Sequence, residues 1–289
     1  MSDLALPAPL AIAGRPAAWF TSTATMVTRC LRLGLRNTDG LITALALPVM
    51  LMLIFVYLFG GALHTGTTYV NYVVPGVLLV CLGFGTGTTA VTVAHDMTGS
   101  IIDRLRSMNT PATSLITGHV VASTLRNLVS TALVFGVAFA IGFRPSAGAT
   151  AWLAAIGVLT LFIVALSWLA AAIGLLARSG EAAGGMTFLI AFLPYPSSAF
   201  VPVSTMPGWL QGFAAHQPAS EVIDALRGLL LHGSAGSAAV PAVAWSLGII
   251  AVSIAGASAA FRIRTRLSTN QCRLFPRLRE PGEQPSGIR

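Results

Sequence analysis

The chain contains no lysine, and only 9% of its 289 residues are charged. Without lysine it cannot form the G-x-x-x-x-G-K-[ST] loop that holds nucleotide phosphates, so any ATP that it depends on must be bound by another chain. A soluble domain carries about a quarter charged residues, and 9% is too few to cover a water-facing surface of this size. The two shortages exclude a self-contained P-loop ATPase and argue against a soluble enzyme.

Cysteine and acidic residues are scarce as well. Cys30, Cys81 and Cys272 lie far apart without metal-ligand spacing, and the five histidines form no cluster of the H-E-x-x-H type. We therefore expect no metal site and no catalytic residues. None of the nine acidic residues falls in the middle of a long apolar run, which argues against a proton- or sodium-coupled carrier and against an intramembrane hydrolase.

Long apolar runs are abundant. Crossing the ~30 Å hydrocarbon core of a bilayer takes about 20 apolar helical residues, and 55% of this chain is hydrophobic. We therefore predict an all-α integral membrane protein, a six-transmembrane-helix bundle whose transmembrane domain covers 38–262. The six runs that are long enough lie at 41–61, 70–93, 120–142, 151–177, 184–203 and 237–261.

The arginines predict the orientation of this bundle. If the N-terminus is placed inside, fifteen of the 17 arginines lie on the inner side, and only Arg144 and Arg227 lie outside. Because positive charge favours the cytoplasmic face, we expect the tail at 1–15 and the basic tail at 263–289 to be cytoplasmic. The N-terminal segment lacks the basic start of a cleaved signal peptide. The absence of lysine, with abundant alanine and glycine, indicates a GC-rich bacterial genome and thus a bacterial plasma membrane.

The segment at 16–37 is amphipathic. At 100° per residue an apolar face lies opposite Arg29, Arg32 and Arg36. This pattern is typical of a helix that lies on the inner leaflet, although an ordinary solvated helix would also show polar and apolar sides. We expect an interfacial helix here.

The inner loop at 95–119 carries a second amphipathic pattern. An apolar stripe at helical spacing predicts a short helix at about 100–111 that ends near Pro111. The stripe needs a partner, which lipid or another protein could supply, whereas composition alone would make this segment a plain connection. The stripe consists of Ile101, Ile102, Leu105 and Met108, with Asp103, Arg104 and Arg106 between its members.

The outer segment at about 204–236 begins with Met-Pro-Gly-Trp-Leu and then shows a third helical pattern. Glu221 and Asp224 lie near the start of that helix, where the helix dipole favours anions. The helix is too short and too charged to span a membrane, so we expect it at the outer interface or dipping partly into the bundle. Its apolar positions are Val222, Ile223, Leu226, Leu229 and Leu230.

Few features inside the spans point to chemistry. Arg126 is the one ionisable residue there, and the predicted span puts it near the inner end, where it could snorkel. Gly83 and Gly87 form a small-xxx-small pattern that favours close helix packing. Prolines interrupt three of the spans, so the freed carbonyls must be covered by protein or line a cavity. Four aromatic residues could line a path for apolar substrates or could equally face lipid or the core: Phe192, Tyr195, Phe200 and Trp168.

Three stretches together resemble one family, the type-2 ABC exporter permeases, and in particular their daunorubicin-resistance-type branch. The resemblance covers most of 40–260 in order and spacing. The departures are Asn109, where the family often has proline, and His119, where a basic residue is common. The matching stretches are YVNYVVPG at 69–76, His95-Asp96 with GSIIDRLRSM at 99–108, and SSAFVPV, MPGWL, HQP and DALRG between 197 and 228.

The resemblance implies a half-transporter that performs no covalent chemistry. Two permeases, as a homodimer or heterodimer, would join two cytoplasmic ABC ATPase subunits, which bind the ATP and magnesium; this chain itself would need no cofactor. The helix at 100–111 would be the coupling helix that contacts the ATPase. The substrate would be a small amphipathic drug-like compound or lipid, exported through the membrane, and no nucleic acid is implied. As residues of an outer gate we expect Pro207, Trp209, Asp224 and Arg227.

Two other functions stay open from the sequence. One is a proton-coupled carrier that acts alone, which would remain active without any ATPase. The other is a membrane assembly protein that transports nothing, which would not copurify with an ATPase.

Overall fold

The computed structural model describes residues 16–36, 38–61, 68–98 and 112–274, and these residues are helices joined by turns. Their α-helices are α1 (Pro16–Arg36), α2 (Thr38–Ile54), α3 (Tyr69–Thr98), α4 (Ala112–Ala140), α5 (Ala149–Leu176), α6 (Gly180–Phe192), α7 (Gly208–His216), α8 (Pro218–His232) and α9 (Ala239–Leu274). A π-helical turn, Phe55–Phe59, extends α2, and short 3-10 turns precede α7 and α9.

Four of these helices are long and apolar enough to cross a membrane. They are α3, most of α4, α5 and the part of α9 before Ala260, and they correspond to four of the six predicted spans. The first and fifth predicted spans contain shorter apolar helical stretches, Ala46–Phe59 and Gly180–Phe192. The described part of the chain is therefore an all-helical membrane protein with several crossings.

Proline explains why α6 is short. The predicted span covered 184–203, but the helix ends at Phe192 and turns follow up to Phe200. Pro194 and Pro196 lack backbone N–H groups and clash with the preceding turn, and two such prolines close together favour the end of the helix. The single prolines Pro48 and Pro75 lie inside α2 and α3 instead. Thirteen residues rise only about 20 Å, which is less than the thickness of a hydrocarbon core.

The bounds of α4 place Arg126 differently from the sequence prediction. The helix begins at Ala112, eight residues before the predicted span, and ends at Ala140. Arg126 therefore lies at the centre of this helix and not near its inner end, as the sequence predicted. The start was missed because residues 112–119 are mostly small and polar, so hydropathy did not include them in the span.

Helix α3 is the centre of the bundle and contacts α2, α4, α5, α6 and α8. Within its most apolar 18-residue window 72% is buried, against 17% for α9, which packs mainly on α5 and α8. Small residues let neighbouring helices approach α3 closely. The Gly83 position faces the backbone of Ala191 on α6, and Gly87 faces Thr187 one turn further along. The close packing predicted for this glycine pair is thereby confirmed.

The outer helix predicted around 222–230 is α8. Its five apolar positions are buried against the bundle, and Gln217 and Pro218 begin it. Gly233 ends it with φ of 76°, a left-handed conformation that glycine adopts without strain. Helix α8 packs against α5, α9 and α3. It therefore dips into the bundle, which is one of the two positions that the sequence left open.

Two other predicted segments differ in outcome. The N-terminal amphipathic helix is present as α1, and it packs along α4 with Met26 buried beside Leu115. The predicted coupling helix at about 100–111 lies outside the described residues. At the C-terminal end, α9 continues to Leu274, beyond the predicted start of the tail at 263.

Replacing Gly83 by alanine should destabilise the bundle. A Cβ atom there would lie 2.7 Å from the Ala191 Cα, and overpacking of this kind costs about 1–3 kcal/mol. Gly136→Ala on α4 is the matched control, because a Cβ at that position meets nothing within 4 Å and alanine favours a helix by about 0.5–1 kcal/mol. We expect a lower thermal unfolding midpoint in detergent for Gly83→Ala only; equal midpoints would contradict the close contact between α3 and α6.

Candidate functional site

An open groove of about 350 Å³ lies between α3 and α6. The small residues that bring these helices together also leave space between them, since glycine and alanine carry little side-chain bulk. The groove is lined by Gly83, Phe84, Gly87, Thr88, Val91 and Thr92 from α3 and by Gly184, Thr187, Phe188 and Ala191 from α6.

The threonines of the groove add little hydrogen-bonding donor capacity. Each hydroxyl donates to a carbonyl of its own helix: Thr88 Oγ1 to Gly85 O at 2.8 Å, Thr92 Oγ1 to Thr88 O at 2.7 Å, and Thr187 Oγ1 to Ala183 O at 2.9 Å. Hydroxyls that bond back to the preceding turn present their methyl groups and lone pairs outward. The surface can therefore contact the apolar part of a ligand without requiring polar partners.

A chain of aromatic rings leads away from the groove. Phe188 lines the groove and lies 4.9 Å from Phe192, which lies 5.0 Å from Tyr195. Tyr195 is 5.5 Å from Phe200, and Phe200 stacks on Phe55 of the π-helical turn at 4.2 Å. Three of the four predicted lining residues are thus neighbours. Trp168 is not among them, because it packs against the separate cluster that contains Val93 and Ile116.

An ion cluster joins α1 to α3 and α4. Asp96, 6% exposed, accepts hydrogen bonds from Arg29 at 2.8 and 3.1 Å and contacts Nε2 of His119 at 3.0 Å. Nδ1 of His119 lies 3.5 Å from Sγ of Cys30. A buried carboxylate is stable only when it is paired and hydrogen-bonded, and Arg29 of α1 and His119 of α4 supply those contacts from two different helices.

The same hydrogen bond acts on the arginine. It raises the pKa of Arg29 above its usual value, since the charged guanidinium is the form that Asp96 stabilises. Arg29 is therefore charged at any physiological pH. It fixes the polar side of α1 to the end of α3, while Met26 packs the apolar side against α4.

A second polar layer lies between α3 and α4. Thr89 and Ser167 both donate to Oγ of Ser123, at 2.8 and 3.0 Å. Nη2 of Arg126 donates to Oγ1 of Thr89 at 2.7 Å and to the carbonyl of Gly85 at 3.0 Å. Thr89 precedes Asp96 by seven residues and Arg126 follows His119 by seven, so this layer lies about 10 Å along the helices from the ion cluster.

Arg227 organises the opposite end of the bundle. It donates to Asp224 at 2.7 Å, to the carbonyl of Ser198 at 2.8 Å and to the carbonyl of Tyr72 at 3.1 Å. Its guanidinium lies 3.8 Å from the centre of the Tyr72 ring, an arrangement that favours cation–π attraction. Burial lowers the pKa of Arg227. These contacts hold α8 and the turn at Ser198 on α3.

The predicted outer-gate residues therefore fall into two places. Asp224 and Arg227 belong to this partly buried network, whereas Pro207 precedes α7 and Trp209 on α7 is 82% exposed.

A sequence model of the ABC-2 type transporter family matches residues 21–231, which is more than half of the chain. The chain belongs to the ABC-2 type transporter family. Over 223 residues it is 30% identical to the daunorubicin resistance ABC transporter permease protein DrrB1 of Streptomyces coeruleorubidus, covering 76% of each protein. Over 220 residues it is 27% identical to the probable doxorubicin resistance ABC transporter permease protein DrrC of Mycobacterium tuberculosis, covering 75% of this chain and 79% of the relative.

Family membership determines the role of the chain. It is the permease subunit of an ABC exporter, a transport component whose partner is an ABC ATPase on a separate subunit. This agrees with the missing lysine, which rules out a phosphate-binding loop in the permease itself. The resemblance described from the sequence is confirmed. Residues 101–108, the predicted ATPase contact, lie outside the described residues.

The sequence did not predict the ion cluster as a site. Asp96 and His119 stood out only as positions of family motifs, and Arg29 only as part of the polar face of α1. Their pairing joins positions 67 and 23 residues apart, and no spacing rule relates residues on three different helices. The available signal was a carboxylate at the end of an apolar run, which requires a cation nearby.

Asp96→Asn should loosen α1 from the permease. The amide keeps the size of the carboxylate but loses the charge that holds Arg29, and hydrogen bonds to charged groups contribute about 1.5–3 kcal/mol. In a permease whose Cys81 and Cys272 are replaced by alanine, we expect Cys30 to react with maleimide about tenfold faster. Glu181→Gln, which neutralises an exposed carboxylate at the start of α6, should not change this rate. An unchanged rate in Asp96→Asn would show that apolar packing alone holds α1.

Proposed function

We propose that the permease works as half of an exporter that moves a small amphipathic compound, drug-like or lipid, outward across a bacterial plasma membrane. Two permeases, identical or different, pair with two cytoplasmic ATPase subunits. The observation that carries the proposal is the open groove with its chain of aromatic rings. The two relatives are named for resistance to daunorubicin and doxorubicin, which supports a drug-like substrate for this chain.

The groove suits such a substrate in size and polarity. A volume of about 350 Å³ is in the range of small-molecule sites. Phe188 and Phe192 are about half exposed, as is Met186 beside them, and Leu189 is 74% exposed. Large exposed apolar patches mark interaction surfaces, and a second permease placed against this face would close the groove into a shared path.

The same elements support our proposal of six crossings. Helix α2 with its π-helical turn supplies the first crossing, and α6 with the aromatic turn up to Phe200 supplies the fifth. The long helices α3, α4, α5 and α9 supply the others. Arginine placement favours both termini in the cytoplasm, with α1 on the inner leaflet and α7 and α8 on the outer side.

The ion cluster makes a proton-coupled carrier a poorer explanation. Such a carrier needs a carboxylate that gains and loses protons within the membrane. Asp96 is the buried carboxylate of the described residues, and Arg29 and His119 both contact it. The pairing favours a fixed charge, and the family's separate ATPase supplies the energy instead.

We propose the helix at 100–111 as the contact with the ATPase. Its apolar anchors should carry the affinity, because truncating an anchor at such a contact typically costs about 2 kcal/mol or more. The charged residues between them should set orientation.

Leu105→Asp should abolish copurification of the ATPase from native membranes, since it places a charge among the apolar anchors. Asp103→Ala is the matched variant: it should retain much of the complex and weaken only substrate-stimulated ATP hydrolysis. Normal recovery of the ATPase with Leu105→Asp would exclude this loop as the contact, and failure of the unmodified permease to recover any ATPase would contradict the exporter itself.

The outer segment should restrain the exit side. Trp209 and Phe213 are exposed on α7, as expected for aromatic residues at a membrane–water interface, and Arg227 holds α8 on α3. We expect Trp209→Ala to raise basal ATP hydrolysis of the reconstituted complex without changing membrane insertion. Trp245→Ala, which removes a half-exposed tryptophan from α9, is the control. If both variants hydrolyse ATP at the rate of the unmodified complex, the segment is a connector only.

A further inference from the structure

Arg126 has no counter-ion among the described residues. Its guanidinium lies at the centre of α4, and its hydrogen bonds go to two neutral acceptors, Thr89 Oγ1 and Gly85 O. The ion pairs in the described part of the chain involve Arg29, His119 and Arg227 instead. A cation within a membrane span is rare, and such residues mark binding sites or ion paths.

Packing alone does not require this charge. A neutral amide could donate to the same two acceptors, and Ser123 already accepts from Thr89 and Ser167 in the same layer. The arginine therefore brings a positive charge that the neighbouring residues do not use. Arg227 differs, because its guanidinium is neutralised by Asp224 and its Nε is sealed within the protein.

Part of the Arg126 guanidinium remains accessible. Nε and Nη1 donate to no described atom, yet neither is among the buried polar atoms that lack a partner. On α4 the neighbouring side chains Leu125 and Val129 are 42% and 62% exposed. The free N–H groups thus lie beside an exposed apolar surface.

The groove between α3 and α6 lies close to this cation. Thr88 and Thr92 line the groove, and they follow Gly85 and Thr89, the two residues that Arg126 contacts, by three positions. Residues three apart are neighbours on a helix surface. An amphipathic molecule in the groove therefore needs to extend past one column of side chains on α3 to reach the guanidinium.

We propose that Arg126 binds the acidic group, a carboxylate or a phosphate, of the amphipathic compound that occupies the groove. Guanidinium groups suit these anions through charge-assisted hydrogen bonds, and the groove and the exposed face of α4 contact the apolar part. This inference rests on the proposed function, because it takes the groove as the substrate path and adds the charge of the substrate.

The test measures binding to the full-length permease alone, in nanodiscs of zwitterionic phosphatidylcholine. The probe is 11-(dansylamino)undecanoic acid, and its methyl ester is the uncharged counterpart. We expect the permease to bind the acid about tenfold more tightly than the ester, and Arg126→Gln to remove this preference by weakening only the acid. Arg126→Lys should keep part of the preference, and Arg178→Gln, which removes an exposed arginine from the turn before α6, should keep all of it.

Competition identifies the source of the anion. Dodecyl phosphate should displace the acid, whereas inorganic phosphate should not if the apolar part is needed. Displacement of the acid by phosphatidylglycerol added to the nanodiscs would assign the site to a lipid head group. Displacement by dodecyl phosphate but not by phosphatidylglycerol would assign it to a free amphiphile. Both outcomes support an acidic ligand at Arg126. Equal affinity for acid and ester, no binding of either, tighter binding of an amine analogue, or full acid preference in Arg126→Gln would each overturn the proposal.

The assay separates this inference from the exporter function. Binding is measured without the ATPase, and copurification of the ATPase is measured without the probe. Loss of the acid preference in Arg126→Gln together with normal ATPase recovery supports both. An acid preference that depends on Arg126 in a permease that recovers no ATPase would leave the binding site intact and contradict the exporter alone.

Discussion

The contact between the backbones of α3 and α6 determines where the other features of this permease can form. Lipid gives no hydrophobic drive for helices to associate, so the bundle depends on close van der Waals packing and on interhelical hydrogen bonds. At Gly83 there is no room for a Cβ atom against Ala191. The same small residues that allow this approach leave the groove between the helices, so the packing of α3 on α6 and the candidate substrate surface have one cause.

The polar contacts that Thr89 and Asp96 of α3 make with α4 form two layers along these helices. In the layer nearest α1, Asp96 is neutralised by Arg29 and contacted by His119. About 10 Å further along the helices, Arg126 donates hydrogen bonds to a hydroxyl and a carbonyl and contacts no carboxylate among the described residues. A buried carboxylate paired with an arginine and contacted by a histidine explains a structural joint, whereas a cation with neutral partners leaves charge for a ligand. The difference between the layers, more than either alone, is what singles out Arg126.

Much of the fold could be predicted from the sequence, because long apolar runs and amphipathic periodicity are local properties. The helix at 16–36 has its predicted start, and the five apolar positions of α8 are all buried. The predicted bounds differ from those of the helices where hydropathy and helical structure diverge. Pro194 and Pro196 end α6 inside an apolar run, and the small polar residues from Ala112 begin α4 before its apolar run starts. The site could be predicted only in part: the sequence named Tyr195 and Phe200 as candidate lining residues, but the contacts of Asp96 and Arg126 depend on which helices are neighbours, which composition and spacing do not specify.

Two arginines contact α3, one at each of its ends. They lie on α1 and α8, which are not long apolar spans. Arg29 of α1 binds Asp96, two residues before the last residue of α3. Arg227 of α8 binds the carbonyl of Tyr72 and covers its ring, near the first residue of α3. Each is a charge-assisted contact in a partly buried setting, where partners cannot be replaced by water without loss. Consequently α3 cannot tilt or slide relative to either amphipathic helix unless a contact at that end breaks. Because α3 also forms most of the groove, a change in the groove's width that moves α3 must be accompanied by movement of α1 and α8 or by the loss of these contacts.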